Sequence, residues 1–93
     1  MFQRSIYYVY ILFSLKERGL YIGYTSDLKN RLKEHASDRV SATSCRTPVL
    51  LIHYEYFINM TDAKSREKYL KSGFGRKQMN QFLRRTLLAL SAE

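Results

Sequence analysis

Apolar residues run almost unbroken through Ile6–Phe13, IYYVYILF, and the run is β-branched and aromatic, which predicts a strand. Ser14–Gly19 is polar and closes on a glycine. Leu20–Tyr24 resumes the apolar run, so residues 6–24 form a hairpin. Alternation puts Tyr7, Val9, Ile11 and Phe13 on one face of the first strand and Tyr8, Tyr10 and Leu12 on the other. In the second strand Leu20 and Ile22 oppose Tyr21 and Gly23. The register that joins the aliphatic residues gathers Tyr8, Tyr10, Tyr21 and Gly23 on the opposite face.

Thr25 or Ser26 can cap a helix over Asp27–Ser37, with Asp27 favourable in its first turn. Ala36–Pro48 is polar and aperiodic and is expected to be a mobile surface loop. Val49–Phe57, VLLIHYEYF, is a third strand with imperfect alternation. Asn59 or Thr61 opens a second helix ending near Ser72–Gly73, where the glycines of SGFG break it. Arg76–Leu90 follows as a third helix, with an apolar stripe at Met79, Phe82, Leu83, Leu87 and Leu90. The order is ββαβαα. It predicts an α+β fold with a small three-stranded, mostly antiparallel sheet flanked by helices.

The chain has 93 residues, which points to one domain over 1–93 with a thin core. Lys and Arg number 16 against 8 acidic residues, a net charge of +8. That excess favours a polyanionic partner, nucleic acid first; the plainer alternative is an ordinary basic surface. Cys45 is the only cysteine, so neither an intrachain disulfide nor a cysteine zinc site can form, as suits the reducing cytoplasm. The N-terminal segment is tyrosine-rich and lacks a small-residue cleavage site, so it reads as a strand and not a leader. Nothing approaches the roughly 20 apolar residues of a membrane span.

Charge narrows the chemistry to a few positions. In the first helix Arg31 and His35 lie one turn apart, on the border of the stripe set by Leu28 and Leu32. They are either a solvated edge or side chains aimed along the sheet. In the second helix Met60, Ala63, Leu70 and Phe74 share a face with Glu67 in its middle. A buried carboxylate without a partner costs several kcal/mol. Glu67 therefore pairs with a buried Arg or Lys, a core-edge Arg in the plainer reading, or holds a metal in a pocket. Lys64, Arg66, Lys68, Lys71, Arg76 and Lys77 form a basic run that is either a solvated face or a track for a phosphate backbone. Gly23 permits a tight turn into the helix and keeps a side chain out of the tyrosine cluster. His53 and Tyr54 are expected in the core or on the sheet surface, not as ligands. Two strand tyrosines, an Arg, a His and one inward Glu suit phosphodiester cleavage, which needs a base, cations on the developing charge, and help for the leaving oxygen. A phenol titrates near ~10 and acts as a base only beside cations.

These residues resemble the GIY-YIG nuclease family, and in particular the nuclease domain of the bacterial excision-repair incision subunit. Tyr8-Val9-Tyr10 matches the first motif and Tyr21-Ile22-Gly23 spells the second; Arg31 follows Tyr21 by ten residues and His35 stands four further on. REKYLKSG supplies Glu67. The resemblance covers about residues 5–80. It implies that Tyr10 and Tyr21 sit side by side near the attacking water, with Tyr10 favoured as base. It implies that His35 relays a proton, that Arg31 holds the scissile phosphate, and that Glu67 binds one Mg²⁺ or Mn²⁺ that steadies the leaving 3′-oxygen. Tyr8 replaces the family's glycine, Tyr24 replaces a common lysine, and Asn80 lies near a common asparagine position.

The expectation is a metal-dependent DNA endonuclease of low intrinsic sequence specificity, structure-specific or repair-related, with RNA left open as a substrate. Two alternatives stand beside it: a non-catalytic nucleic-acid-binding module, and a nuclease subunit whose specificity comes from a protein partner.

Overall fold

The computed structural model describes residues 4–37, 40, 43 and 46–92; Cys45 lies outside them. β1 (Tyr7–Ser14), β2 (Leu20–Thr25) and β3 (Val49–Phe57) form one sheet in the order β2-β1-β3, antiparallel at both pairings. β1 is the central strand, and Val9 through Ser14 are buried whichever face they take. That is why its apolar run is continuous where an exposed strand would alternate. The hairpin register is the expected one: Tyr10 faces Gly23, Ile11 faces Ile22, and Leu12 faces Tyr21.

The aliphatic face carries the core. Val9 and Ile11 pack with Ala63, Leu70, Met79 and Leu83 from α2 (Met60–Leu70), α3 (Gly73–Phe82) and the turn into α4 (Arg84–Ser91). Each of these side chains larger than alanine, taken out of water, contributes about 1.5–3 kcal/mol. The tyrosine face meets α1 (Leu28–Ala36) instead, where Tyr10 touches His35. Among the described residues no helix is long and apolar enough to cross a membrane.

Side chains cap three helices. Asp27 accepts from the Asn30 amide at 3.1 Å, so it is the cap of α1 in place of Thr25 or Ser26. Asn59 accepts from Asp62 at 3.0 Å, and Ser72 from Gly75 at 3.2 Å. In the hairpin turn Arg18 takes a left-handed φ of 65°, and its guanidinium donates to the Leu90 carbonyl at the end of α4.

The structure explains one expected feature and differs from the expectation in three others. The imperfect alternation of β3 is a register slip: His53 faces Ile11 while Leu51 faces Leu12, leaving Ile52 bulged between them. The third helix is two, α3 and α4, parted at Leu83, and no Gly or Pro marks the break. The SGFG glycines do not end α2 by a left-handed turn, since neither has a positive φ. Instead Gly75 lies where a Cβ would stand 2.0 Å from the Tyr69 carbonyl oxygen and 2.5 Å from the Leu70 Cα, so its bareness lets α3 fold back onto the end of α2. Finally, the 36–48 loop is not wholly a surface segment: Thr43 is fully buried.

β3 and α2 are also joined by an ion pair. Arg66 forks onto Glu55, Nε to Oε1 at 2.9 Å and Nη2 to Oε2 at 3.1 Å, with His53 Nε2 3.0 Å from Oε2. Burial pushes the Glu55 carboxyl up, but the bonds and charges of Arg66 and His53 outweigh it and hold the group below its ordinary value. The core-edge Arg thus pairs with Glu55, not Glu67.

Candidate active site

One phenol is the junction of the site. Tyr10 sits in the middle of the central strand with its ring buried, and its oxygen lies 2.9 Å from His35 Nε2. The other ring nitrogen of His35, Nδ1, lies 2.7 Å from Thr43 Oγ1. Arg31 Nε donates to the Tyr10 oxygen at 3.4 Å, while Arg31 Nη1 reaches Glu34 Oε1 at 3.3 Å. The helical spacing that put Arg31 and His35 on one border therefore brings both to the same oxygen. Burial, and then the Arg31 charge, lower the His35 pKa against a smaller opposing pull from Glu34, so the imidazole is neutral at neutral pH. The bond to Tyr10 is the largest of the causes that raise the Arg31 pKa, and this guanidinium stays charged.

Thr43 was missed by sequence reasoning. It stands in an aperiodic stretch rich in Ser, Thr and Arg, where no pattern separates a buried hydroxyl from a solvated one. Its contact with Nδ1 matters because a neutral imidazole has one N–H and one lone pair. When Nδ1 holds the proton and donates it to Thr43, Nε2 is left as an acceptor for the Tyr10 hydroxyl.

Gly23 faces Tyr10 across the hairpin, and a Cβ there would lie 2.2 Å from both the Tyr10 oxygen and the ring carbon that bears it. It is a mid-strand residue without a positive φ, so the tight-turn reading is set aside; the space it leaves for the phenol is its role. Tyr21 lies on the same face, but its ring sits under the Arg46 guanidinium at 5.4 Å. Tyr24 turns to the other face, stacked on Tyr7 at 6.3 Å with Lys64 Nζ 5.4 Å from its ring. Tyr8 meets Tyr54 edge to face.

Tyr10, Tyr21, Gly23, Tyr24, Arg31, His35 and Thr43 line an open cavity of about 510 Å³, whose opposite wall is Glu67, Lys71 and Arg76. The cavity thus brings all five candidate chemical residues together. Glu67 is partly buried, 22% exposed, and accepts from Lys71 Nζ at 2.9 Å. Its helix face is less apolar than its composition suggests, for Met60 and Phe74 are exposed, Phe74 at 79%. Lys68 and Lys77 are exposed on the same side chain run, and Arg66 is held by Glu55. Asn80 lines a separate hollow with Phe13 and Arg18. A further hollow of about 550 Å³ at the α3–α4 corner holds none of these residues.

Among the described residues no three His, Cys, Asp or Glu side chains gather as metal ligands. One half-buried carboxylate facing an open, hydrated cavity still fits a hard divalent ion that keeps most of its waters and takes its other oxygens from a phosphate. Chemically, the arrangement offers a phenol bonded to a neutral base, a fixed cation beside it, and a carboxylate lining the same cavity.

A family model described as the GIY-YIG catalytic domain matches residues 6–80. The chain is 43% identical over 67 residues to the UPF0213 protein HQ_3675A of Haloquadratum walsbyi, covering 71% of this chain and 74% of that one. It is 43% identical over 65 residues to the UPF0213 protein CPE1444 of Clostridium perfringens, covering 69% of each. With the UPF0213 protein YsiG of Lactococcus lactis it shares 37% over 83 residues, 88% of this chain and 79% of the relative.

Proposed function

The chain belongs to the GIY-YIG family, a family of nuclease type, and from that premise we propose that it is a divalent-metal-dependent endonuclease hydrolysing DNA phosphodiester bonds with low intrinsic sequence specificity. The observation that carries this reading is the line Thr43–His35–Tyr10–Arg31, ending in a cavity that Glu67 also faces. Arg31 holds a non-bridging oxygen of the scissile phosphate and opposes the charge that grows there. As water attacks phosphorus, its proton passes to the Tyr10 oxygen while the Tyr10 proton passes to His35 Nε2. Thr43 keeps Nδ1 protonated, so that Nε2 is free to accept. The bond to the 3′-oxygen breaks as that oxygen takes a proton from solvent water, leaving 5′-phosphate and 3′-hydroxyl ends, and His35 then returns its proton through Tyr10 to solvent. A cation on Glu67, Mg²⁺ or Mn²⁺, supplies charge stabilisation for the departing oxygen. Tyr21 orients within the same cavity. Lys64, Lys68, Lys71, Arg76 and Lys77 carry the phosphate backbone; Arg66, fixed on Glu55, is left out of this track.

The test is cleavage of duplex, flap, junction and single-stranded DNA with Mg²⁺ and Mn²⁺. Wild-type protein cuts, chelation stops it, and Glu67→Gln lowers the rate by about 100-fold. Cutting by Glu67→Gln at the wild-type rate sinks the metal assignment. One observation favours a second reading: Lys71 already neutralises Glu67. If the wild type binds DNA with a steep salt dependence but cuts with neither ion, the domain is a binding module.

Thr43→Val gives a distinct signature. Cleavage requires neutral His35, so the rate falls as pH drops through the His35 pKa, which lies below the ordinary imidazole value. Removing the Nδ1 acceptor penalises the imidazolium more than the neutral ring and lowers that pKa further. The maximal rate drops about 10-fold while the acid limb moves to lower pH, and Thr43→Ser restores both. An unmoved acid limb in the pH–rate profile would mean that Thr43 only fills space.

A further inference from the structure

Besides Tyr21, three more phenols stand on the sheet face of Tyr10. In the β1–β3 pairing Tyr8 faces Tyr56 and Tyr10 faces Tyr54, so all four side chains leave the sheet on one side. The Tyr8 and Tyr54 rings meet at 6.0 Å and 61°, and Tyr54 and Tyr56 are 50% and 63% exposed. Cross-strand neighbours on one face stand about 5 Å apart, so this row begins directly beside the phenol of the candidate site. The fold does not require it: the core cluster lies on the opposite face. β3 is an edge strand, and nothing in the sheet lies beyond it.

Exposed aromatic faces next to a cationic cleft, on a chain of net charge +8, match one class of ligand in both charge and shape. A nucleobase stacks on an aromatic ring whatever its sequence, and the phosphates that link the bases meet the cations. Bases inside a duplex are already stacked on one another and offer only their edges, so rings standing on an open sheet serve unpaired nucleotides. We propose that Tyr8, Tyr54 and Tyr56 form a stacking platform for unpaired nucleotides flanking the scissile phosphate, and that DNA with a single-stranded stretch is the preferred substrate. The inference takes its substrate from the nuclease reading above, but its test needs no cleavage.

The experiment measures fluorescence anisotropy of a labelled oligothymidine and a labelled duplex, with the full chain, at fixed salt in a chelator. Each lost ring weakens single-strand binding about 10-fold, so Tyr54→Ala with Tyr56→Ala weakens it about 100-fold and leaves duplex binding within about 3-fold. Tyr54→Phe with Tyr56→Phe keeps the rings and binds as the wild type does. The proposal is overturned if the alanine pair binds the single strand normally, if duplex affinity falls equally, or if the phenylalanine pair is as weak as the alanine pair. A wild type that shows this ranking but never cuts removes the nuclease reading and leaves the platform standing.

Discussion

Tyr10→Phe lowers metal-dependent cleavage by about 1,000-fold and leaves the protein folded. The loss is large because one oxygen has three tasks. On the proposed mechanism it takes the proton from water and passes its own to His35, and in the structure it bonds His35 and receives the Arg31 bond that fixes the guanidinium. A positioned acid–base group contributes about 10²–10⁴ in rate, and no second phenol is bonded to His35 among the described residues. The stability cost is smaller. Removing the hydroxyl leaves the buried Nε2 of His35 without its partner, worth about 1–2 kcal/mol, or roughly 5–15 °C in melting temperature for a domain of this size. Single-turnover cleavage and a thermal melt on the same sample separate the two. If Tyr21→Phe abolishes cutting and Tyr10→Phe does not, the roles of the two phenols are reversed.

Gly75→Ala destabilises the protein by about 3 kcal/mol or more, on the order of half of what a domain this small commonly has. In most helices the same exchange would stabilise by about 1 kcal/mol, through lower unfolded-state entropy and better helix propensity. Here the sign reverses. The new methyl meets the Tyr69 carbonyl and the Leu70 Cα, backbone atoms that cannot swing aside. α3 must lift off the end of α2, where Leu70 and Met79 are fully buried. Gly73→Ala, two residues earlier, is the control: nothing lies within 4 Å of its added carbon, so it is neutral or slightly stabilising. Denaturant unfolding of the two variants checks the contrast, and equal effects would refute the close-approach account.

The contrast between these residues shows what the sequence carries. The hairpin register was legible because aliphatic and aromatic positions alternate, and only one pairing joins Ile11 to Ile22 while leaving Gly23 under Tyr10. Arg31 and His35 were legible as a pair because helical spacing is rigid. Glu67 lines the same cavity as Tyr10, but its surroundings differ from the pattern: Met60 and Phe74 are apolar in type but exposed, so the face around it is less buried than residue type alone suggests. The carboxylate that does hold an Arg fork is Glu55, on a strand whose bulge hides its alternation. Thr43 and the break at Leu83 had no local signal, since both follow from how distant segments pack.

The Tyr10 phenol rides on the strand that both neighbours clasp, with helices on one side and α1 on the other. Such a strand belongs to the part of a molecule that opens last. On the proposed function the phenol would stay nearly still while a stiff polymer comes to it, and the bending or fraying needed to seat a phosphate would occur in the DNA. If the chain cuts DNA as proposed, an unyielding enzyme of this kind would sort its substrates by how readily they deform, favouring gaps, frayed ends and soft pyrimidine–purine steps.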